Sequence, residues 1–300
     1  MRSPVPGLQT AAAGMMLTVL AGLSACLTTT QAPPPPAAAA APRAEPQVPP
    51  AAPAEPPPPV LAAATVEPPP PPPVEPPPPA GPKPRKGGRF SVLILGDSMA
   101  ATDFGQALEA RLDKHPKVVA HRRGKSATGL ARPDFFDWMS EGPAQVKKHD
   151  PDLVVVIMGG NDGQDLIAKD KKARRVFWKT KAWEDAYRQR LLDFAAKVTA
   201  GGRKLVWLEL PAMDKPGLEA KLETIRRVQK DTLTELGATA HHVDTADFFY
   251  DGKRLLTQAK VDGYKAPQAL RQADGIHFTV PGSRYFANRV YPELLRLMGL

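Results

Sequence analysis

Between residues 33 and 84 stand 25 of the chain's 36 prolines. Proline lacks a backbone N–H and fixes φ, so neither a helix nor an interior strand tolerates such a run. The rest of the stretch is largely alanine with scattered glutamate, and large apolar side chains are nearly absent. The segment therefore has nothing with which to bury a core, and it is expected to form an extended, polyproline-II-like tether. At about 3.1 Å per residue it would reach roughly 160 Å when fully stretched. The remaining 88–300 segment has the size of one α/β domain.

Arg2 gives a weakly positive start, and a small-residue apolar run extends from Ala11 to Ala25. A membrane span needs about 20 such positions, so this shorter run fits the hydrophobic region of a signal peptide. Leu23-Ser24-Ala25-Cys26 resembles a bacterial lipobox. That resemblance implies cleavage before Cys26 and a diacylglyceryl group on its sulfur. Cys26 is the only cysteine, which leaves no internal disulfide and no cysteine-based metal site. An ordinary secretory signal with a chance cysteine is the plainer alternative. The expected organisation is a signal peptide at 1–25, a Pro/Ala-rich linker at 26–87 and a folded domain at 88–300. Leu27 stands where aspartate would retain such a protein at the inner membrane. By resemblance to enterobacterial sorting, the expected location is a periplasm-facing lipoprotein of the outer membrane.

The formal net charge is +9. Basic groups such as Lys83-Pro84-Arg85-Lys86, Arg122-Arg123 and Arg174-Arg175 suggest affinity for polyanions, though each could equally be a solvated face. An exported protein is a poor candidate for nucleic-acid binding, so an anionic envelope polymer or lipid head group is the expected partner class.

Within the folded part, Phe90–Leu95, Val118–Ala120, Leu153–Met158, Lys204–Leu210 and His241–Val243 read as strands. Leu153–Met158 has no polar face, as a central parallel strand covered on both sides requires. Helical spacing recurs at 107–112, 135–146, 183–198, 218–236 and 281–297. Strands alternating with helices predict a five-stranded parallel sheet in a three-layer α/β/α sandwich.

Three islands fall where strands or loops meet helices. They are Gly96-Asp97-Ser98, Gly159-Gly160-Asn161-Asp162 and Asp274-Gly275-Ile276-His277. A serine at the carboxyl end of a strand can serve as a nucleophile, or simply cap the next helix. Asn161 offers a side-chain amide to a developing oxyanion, although Gly-Gly-Asn-Asp also makes a plain turn. Asp274 can hold one imidazole nitrogen of His277 while the other faces a serine. Together they supply what acyl transfer by a serine hydroxyl needs. A phosphate-binding loop is excluded because Val119 stands where Gly124-Lys125-Ser126 would need its first glycine. No Gly-x-Ser-x-Gly elbow occurs, and the adjacent His241-His242 lack the spacing for one metal on a helix face.

On these islands the chain resembles the SGNH (GDSL-like) hydrolase superfamily, in particular the branch found in proteobacterial envelope proteins. The resemblance covers about residues 88–300. It implies Ser98 as nucleophile, His277 as base and Asp274 as its orienter, with no cofactor and no metal. It also implies Ser98 N–H, Gly124 and Asn161 as oxyanion donors. The second block, Gly124-Lys125-Ser126-Ala127-Thr128-Gly129, departs from the usual pattern, so Ser126 is an alternative to Gly124. Leu130 to Trp138 is similar to the envelope branch and is expected to shape the cleft. The implied activity is that of a serine esterase, and location favours O-acetyl groups on an envelope glycan such as peptidoglycan. The alternatives are a non-catalytic glycan-binding or scaffold lipoprotein, and a lysophospholipase or thioesterase. The sequence shows no long apolar lid for an acyl chain.

Overall fold

The computed structural model describes residue 84, residues 87–170 and residues 174–300. The expected signal peptide, Cys26 and nearly all of the tether lie outside the described residues.

Five parallel strands form the central sheet: β1 (Phe90–Gly96), β2 (Val118–Gly124), β3 (Leu153–Ile157), β4 (Lys204–Leu208) and β5 (Ala240–Val243). Their spatial order is β2-β1-β3-β4-β5. All five residues of β3 are buried, as an apolar strand in the middle of a covered sheet must be. The helices are α1 (Ser98–Ala101), α2 (Asp103–Asp113), α3 (Trp138–His149), α4 (Lys181–Thr199), α5 (Pro216–Thr234) and α6 (Val280–Met298). They flank the sheet in the three-layer arrangement expected; α2 packs on α6, and α4 packs on both α3 and α5.

Local chemistry sets the helix limits. Thr180 Oγ1 accepts the Trp183 N–H at 3.1 Å to open α4. Trp183, Tyr187, Leu191, Phe194 and Val198 then form one buried stripe. Gly201 and Gly202, at φ +79° and +78°, turn the chain out of it. In α6, Thr279 caps Gly282 N–H at 3.0 Å, and Pro281 occupies the first turn as expected.

Beyond shifts of element ends and the short α1 helix, three features differ from the sequence expectation. The third helix starts at Trp138, not Phe135, because Asp137 caps Met139 N–H at 3.0 Å. Phe135 and Phe136 N–H groups instead close a turn on Arg132 O. The second strand continues past Ala120 to Gly124, since an edge strand can carry half-exposed His121, Arg122 and Arg123. Two small antiparallel ladders were not expected: β6 (Tyr250–Asp251) with β7 (Arg254–Leu255), and β8 (Gln258–Ala259) with β9 (Gln268–Ala269). Two-residue strands are too short to show periodicity.

Candidate active site

The front of the site is a turn wedged into the sheet. A Cβ on Gly96 would lie 1.9 Å from Ile157 O, so only glycine fits there. Asp97 follows, 1% exposed. One carboxylate oxygen accepts Met99 N–H at 3.0 Å. The other accepts Gly159 and Gly160 N–H, both at 3.1 Å. Asp97 is thus the cap of α1, and Ser98 is the first helical residue with its hydroxyl released from capping. Burial pushes the Asp97 carboxyl up to about 6, against the pull of these backbone donors. Asp97 also ties the first island to the second, a role that adjacency in sequence does not reveal.

The second island closes over a buried polar network. Asp162 is fully buried and accepts Leu130 N–H at 3.1 Å, Ala131 N–H at 2.8 Å and Tyr187 O–H at 2.8 Å. Gln229 donates to Met158 O at 3.0 Å and to the Tyr187 oxygen at 3.1 Å, while accepting Trp207 Nε1–H at 3.2 Å. Burial raises the Asp162 carboxyl. Burial, then the Asp162 charge, holds the Tyr187 phenol well above its ordinary value. Asn161 is half-buried, and its amide donates to Thr128 O at 2.9 Å. An amide nitrogen carries two hydrogens, so one remains to meet a ligand.

The tail is built differently. A Cβ on Gly275, at φ +71°, would lie 2.1 Å from Asp214 O, and Gly275 O accepts Asp214 N–H at 2.9 Å. This docks the 274–277 segment on the loop after β4. Arg271 braces it from beneath by donating to Ile276 O and Ala212 O. Its guanidinium lies 3.8 Å from the Phe278 ring centroid, and burial lowers its pKa to about 9. Asp274 Oδ2 lies 2.6 Å from His277 Nδ1, while Oδ1 accepts Ile276 N–H at 2.8 Å and His277 N–H at 2.9 Å. Partial burial works against ionisation, but these donors, the His277 ring first, hold the Asp274 carboxyl down at about 2. The other ring nitrogen, Nε2, is buried and has no hydrogen-bond partner among the described residues.

Ser98, Gly124 and Asn161 follow the carboxyl ends of β1, β2 and β3 or stand on them, and the Asp274–His277 pair is docked beyond β4. All therefore gather at the carboxyl-terminal end of the sheet. Phe278, next to His277, packs on Phe104 of α2 with ring centroids 6.2 Å apart, which joins the tail to the element following Ser98. The Asp274–His277 contact expected from the sequence is formed, whereas no hydrogen bond joins His277 to Ser98 in this structure. Gly124 packs flush against α1, where a Cβ would lie 2.2 Å from Ala101 N. Ser126 is exposed.

Across this domain, a family model described as a protein of unknown function, DUF459, matches residues 91–293. The chain belongs to the DUF459 family. No curated protein matches it. The solved structures to which this DUF459 domain is similar include the following three. One is TesA, with 25% identity, 69% of this chain and 99% of the other covered, and a TM-score of 0.45. Another is Axe2, an acetylxylan esterase from Geobacillus stearothermophilus, with 18% identity, 71% and 96% coverage and a TM-score of 0.46. The third is the esterase EstA from Pseudoalteromonas sp., with 14% identity, 70% and 100% coverage and a TM-score of 0.45.

Several basic residues flanking the DUF459 islands are engaged within the chain. Arg122 donates to Ala100 O at 2.9 Å and Ala101 O at 3.0 Å and pairs with Glu109 at 2.9 Å. Arg123 pairs with Glu141 at 2.6 Å. His241 and His242 lie in β5, as read from the sequence.

Proposed function

We propose that this DUF459 domain is an exported serine esterase that removes O-acetyl groups from a cell-envelope glycan. The observation that carries the reading is the Asp274–His277 pair at 2.6 Å, whose second ring nitrogen is buried and unpartnered. A carboxylate held ionised down to about pH 2 fixes Nδ1–H, so Nε2 is left as the acceptor for a serine proton. Catalytic contacts are often long before substrate binds and tighten afterwards. The loop-held tail is the part that would move.

In the proposed reaction His277 Nε2 takes the Ser98 proton as Oγ attacks the ester carbonyl. The oxyanion is met by Ser98 N–H, Gly124 N–H and the second Asn161 amide hydrogen. His277 then protonates the leaving alcohol. Water, deprotonated by the same nitrogen, cleaves the acyl-enzyme to acetate and free Ser98. The envelope location rests on the lipobox-like segment and the tether, which would let a lipid-anchored domain reach the wall. The test is acetate release from isolated cell-wall material. Wild type is expected to release it and Ser98→Ala is not; equal release from both removes Ser98 from the reaction.

A further inference from the structure

Beside Asn161 lies a polar cleft of about 330 Å³ lined by Arg132, Asp134, Gln164, Asp165, Ile167 and Arg175. Gln164 links it to the site: its amide donates to Asn161 O at 2.5 Å and its N–H to Asp162 O at 2.7 Å. One wall is the turn after Ala131. The other is the paired segment in which Leu166 and Val176 exchange hydrogen bonds of 2.9 and 3.1 Å. Arg190 braces both walls from beneath, donating to Leu130 O, Ala131 O and Ile167 O at 2.7–3.0 Å. Leu166 is turned into the core, 1% exposed. By strand alternation Asp165 and Ile167, with Arg175 and Phe177 opposite, fall on the other face. Phe177 and Phe135, next to Asp134, are each 58% exposed.

We propose that this cleft is a saccharide-binding subsite that seats the glycan acceptor beside Asn161. The proposal rests on the esterase reading for its role in turnover, though not for binding itself. The lining chemistry discriminates between ligand classes. Arg132 makes a two-point pair with Asp134 at 2.8 and 2.9 Å, and Arg175 stands 3.5 Å from Asp165. Each guanidinium is thus balanced by a carboxylate, and the cleft is not an anion trap. Among the described residues Ile167 is its one apolar lining residue, which does not suit an acyl chain. Planar carboxylates, guanidiniums and an amide, held in position by one another, offer fixed donors and acceptors to neighbouring hydroxyls. Trp178 N–H, bonded to Asp165 Oδ1 at 2.8 Å, orients that carboxylate further. Phe177 follows the Val176 bridge residue and precedes Trp178, whose N–H holds Asp165, and an exposed phenyl face so placed can cover the C–H face of a pyranose ring.

The test separates binding from catalysis. Full-length Ser98→Ala protein is titrated with chitotetraose and xylotetraose by calorimetry, then again with Phe177→Ala, Phe177→Leu, Phe177→Trp or Asp134→Asn added. At least one oligosaccharide is expected to bind. Phe177→Ala and Phe177→Leu should weaken it roughly five- to tenfold, while Phe177→Trp retains it, since a flat ring is what matters. In the active enzyme, Phe177→Ala should raise KM for an acetylated oligosaccharide at least about fivefold more than for p-nitrophenyl acetate. Absence of binding, binding indifferent to all four substitutions, or displacement by inorganic phosphate would overturn the subsite. Oligosaccharide binding that depends on Phe177, in a protein unable to cleave any ester, would sink the esterase reading and leave the subsite standing. Ester cleavage without oligosaccharide binding would do the reverse.

Discussion

The two halves of the proposed catalytic group are held in opposite ways. Ser98 follows a residue that is 1% exposed, on a turn bonded through Asp97 to the end of the central strand. Behind that turn stands the Asp162–Tyr187–Gln229–Trp207 network, all of it buried. His277 belongs to a short loop whose Asp274 side chain is 40% exposed. That loop is fastened by Gly275 on Asp214 and by the Arg271 brace. In the proposed reaction this contrast would divide the labour between Ser98 as nucleophile and His277 as base. The nucleophile is fixed by the fold, and any change to its support is a stability event. The base is positioned by a clip at the surface, so its chemistry can be altered with little effect on folding.

The largest expected effect on that contrast comes from Asp274→Asn. With the carboxylate gone the imidazole loses its orienting charge, and ester turnover should fall by about 10²–10⁴. The urea midpoint should stay close to wild type, and a marked drop in it would show that the tail is part of the stable core after all. Asn161→Ala lies between the two regimes. Removal of one oxyanion donor should cost about 10²–10³ in kcat with KM little changed. A pure KM effect would remove Asn161 from the transition state. The smallest effect on chemistry and the clearest on folding is expected from Tyr187→Phe. It strips Asp162 and Gln229 of a buried partner and should lower stability by about 1–3 kcal/mol in urea denaturation. Unchanged stability would mean that the network behind the turn is not what holds it.

Much of this layout was legible in the sequence, for reasons that differ from element to element. The buried strands at Phe90 and Leu153 announce themselves because a covered parallel strand needs an unbroken apolar run. Pro281 marks the start of the last helix because its fixed φ suits a first turn, whereas the Thr180 and Thr279 caps emerged only from the structure. The Asp274–His277 pair was legible because both partners lie within one turn of chain. The Gly159 and Gly160 N–H bonds to Asp97 were not, since Gly159 lies 62 positions further along the chain and an aspartate in a turn has many local uses. Arg271 was hidden likewise: its carbonyl partners are defined by how the loop docks, and an arginine between loops reads as solvated. The start of α3 was misread because Phe135 and Phe136 continue a helical pattern that Pro133 and the Asp137 cap override.

The claim that the rest depends on is that His277 activates the Ser98 hydroxyl, and active-site phosphonylation tests it most directly. A fluorophosphonate probe should leave one adduct, mapped to Ser98 by peptide mass spectrometry. It should be absent in Ser98→Ala and form far more slowly in His277→Ala. An adduct that forms at the same rate without the imidazole would contradict the account, as would no adduct at all while a known serine esterase labels under the same conditions.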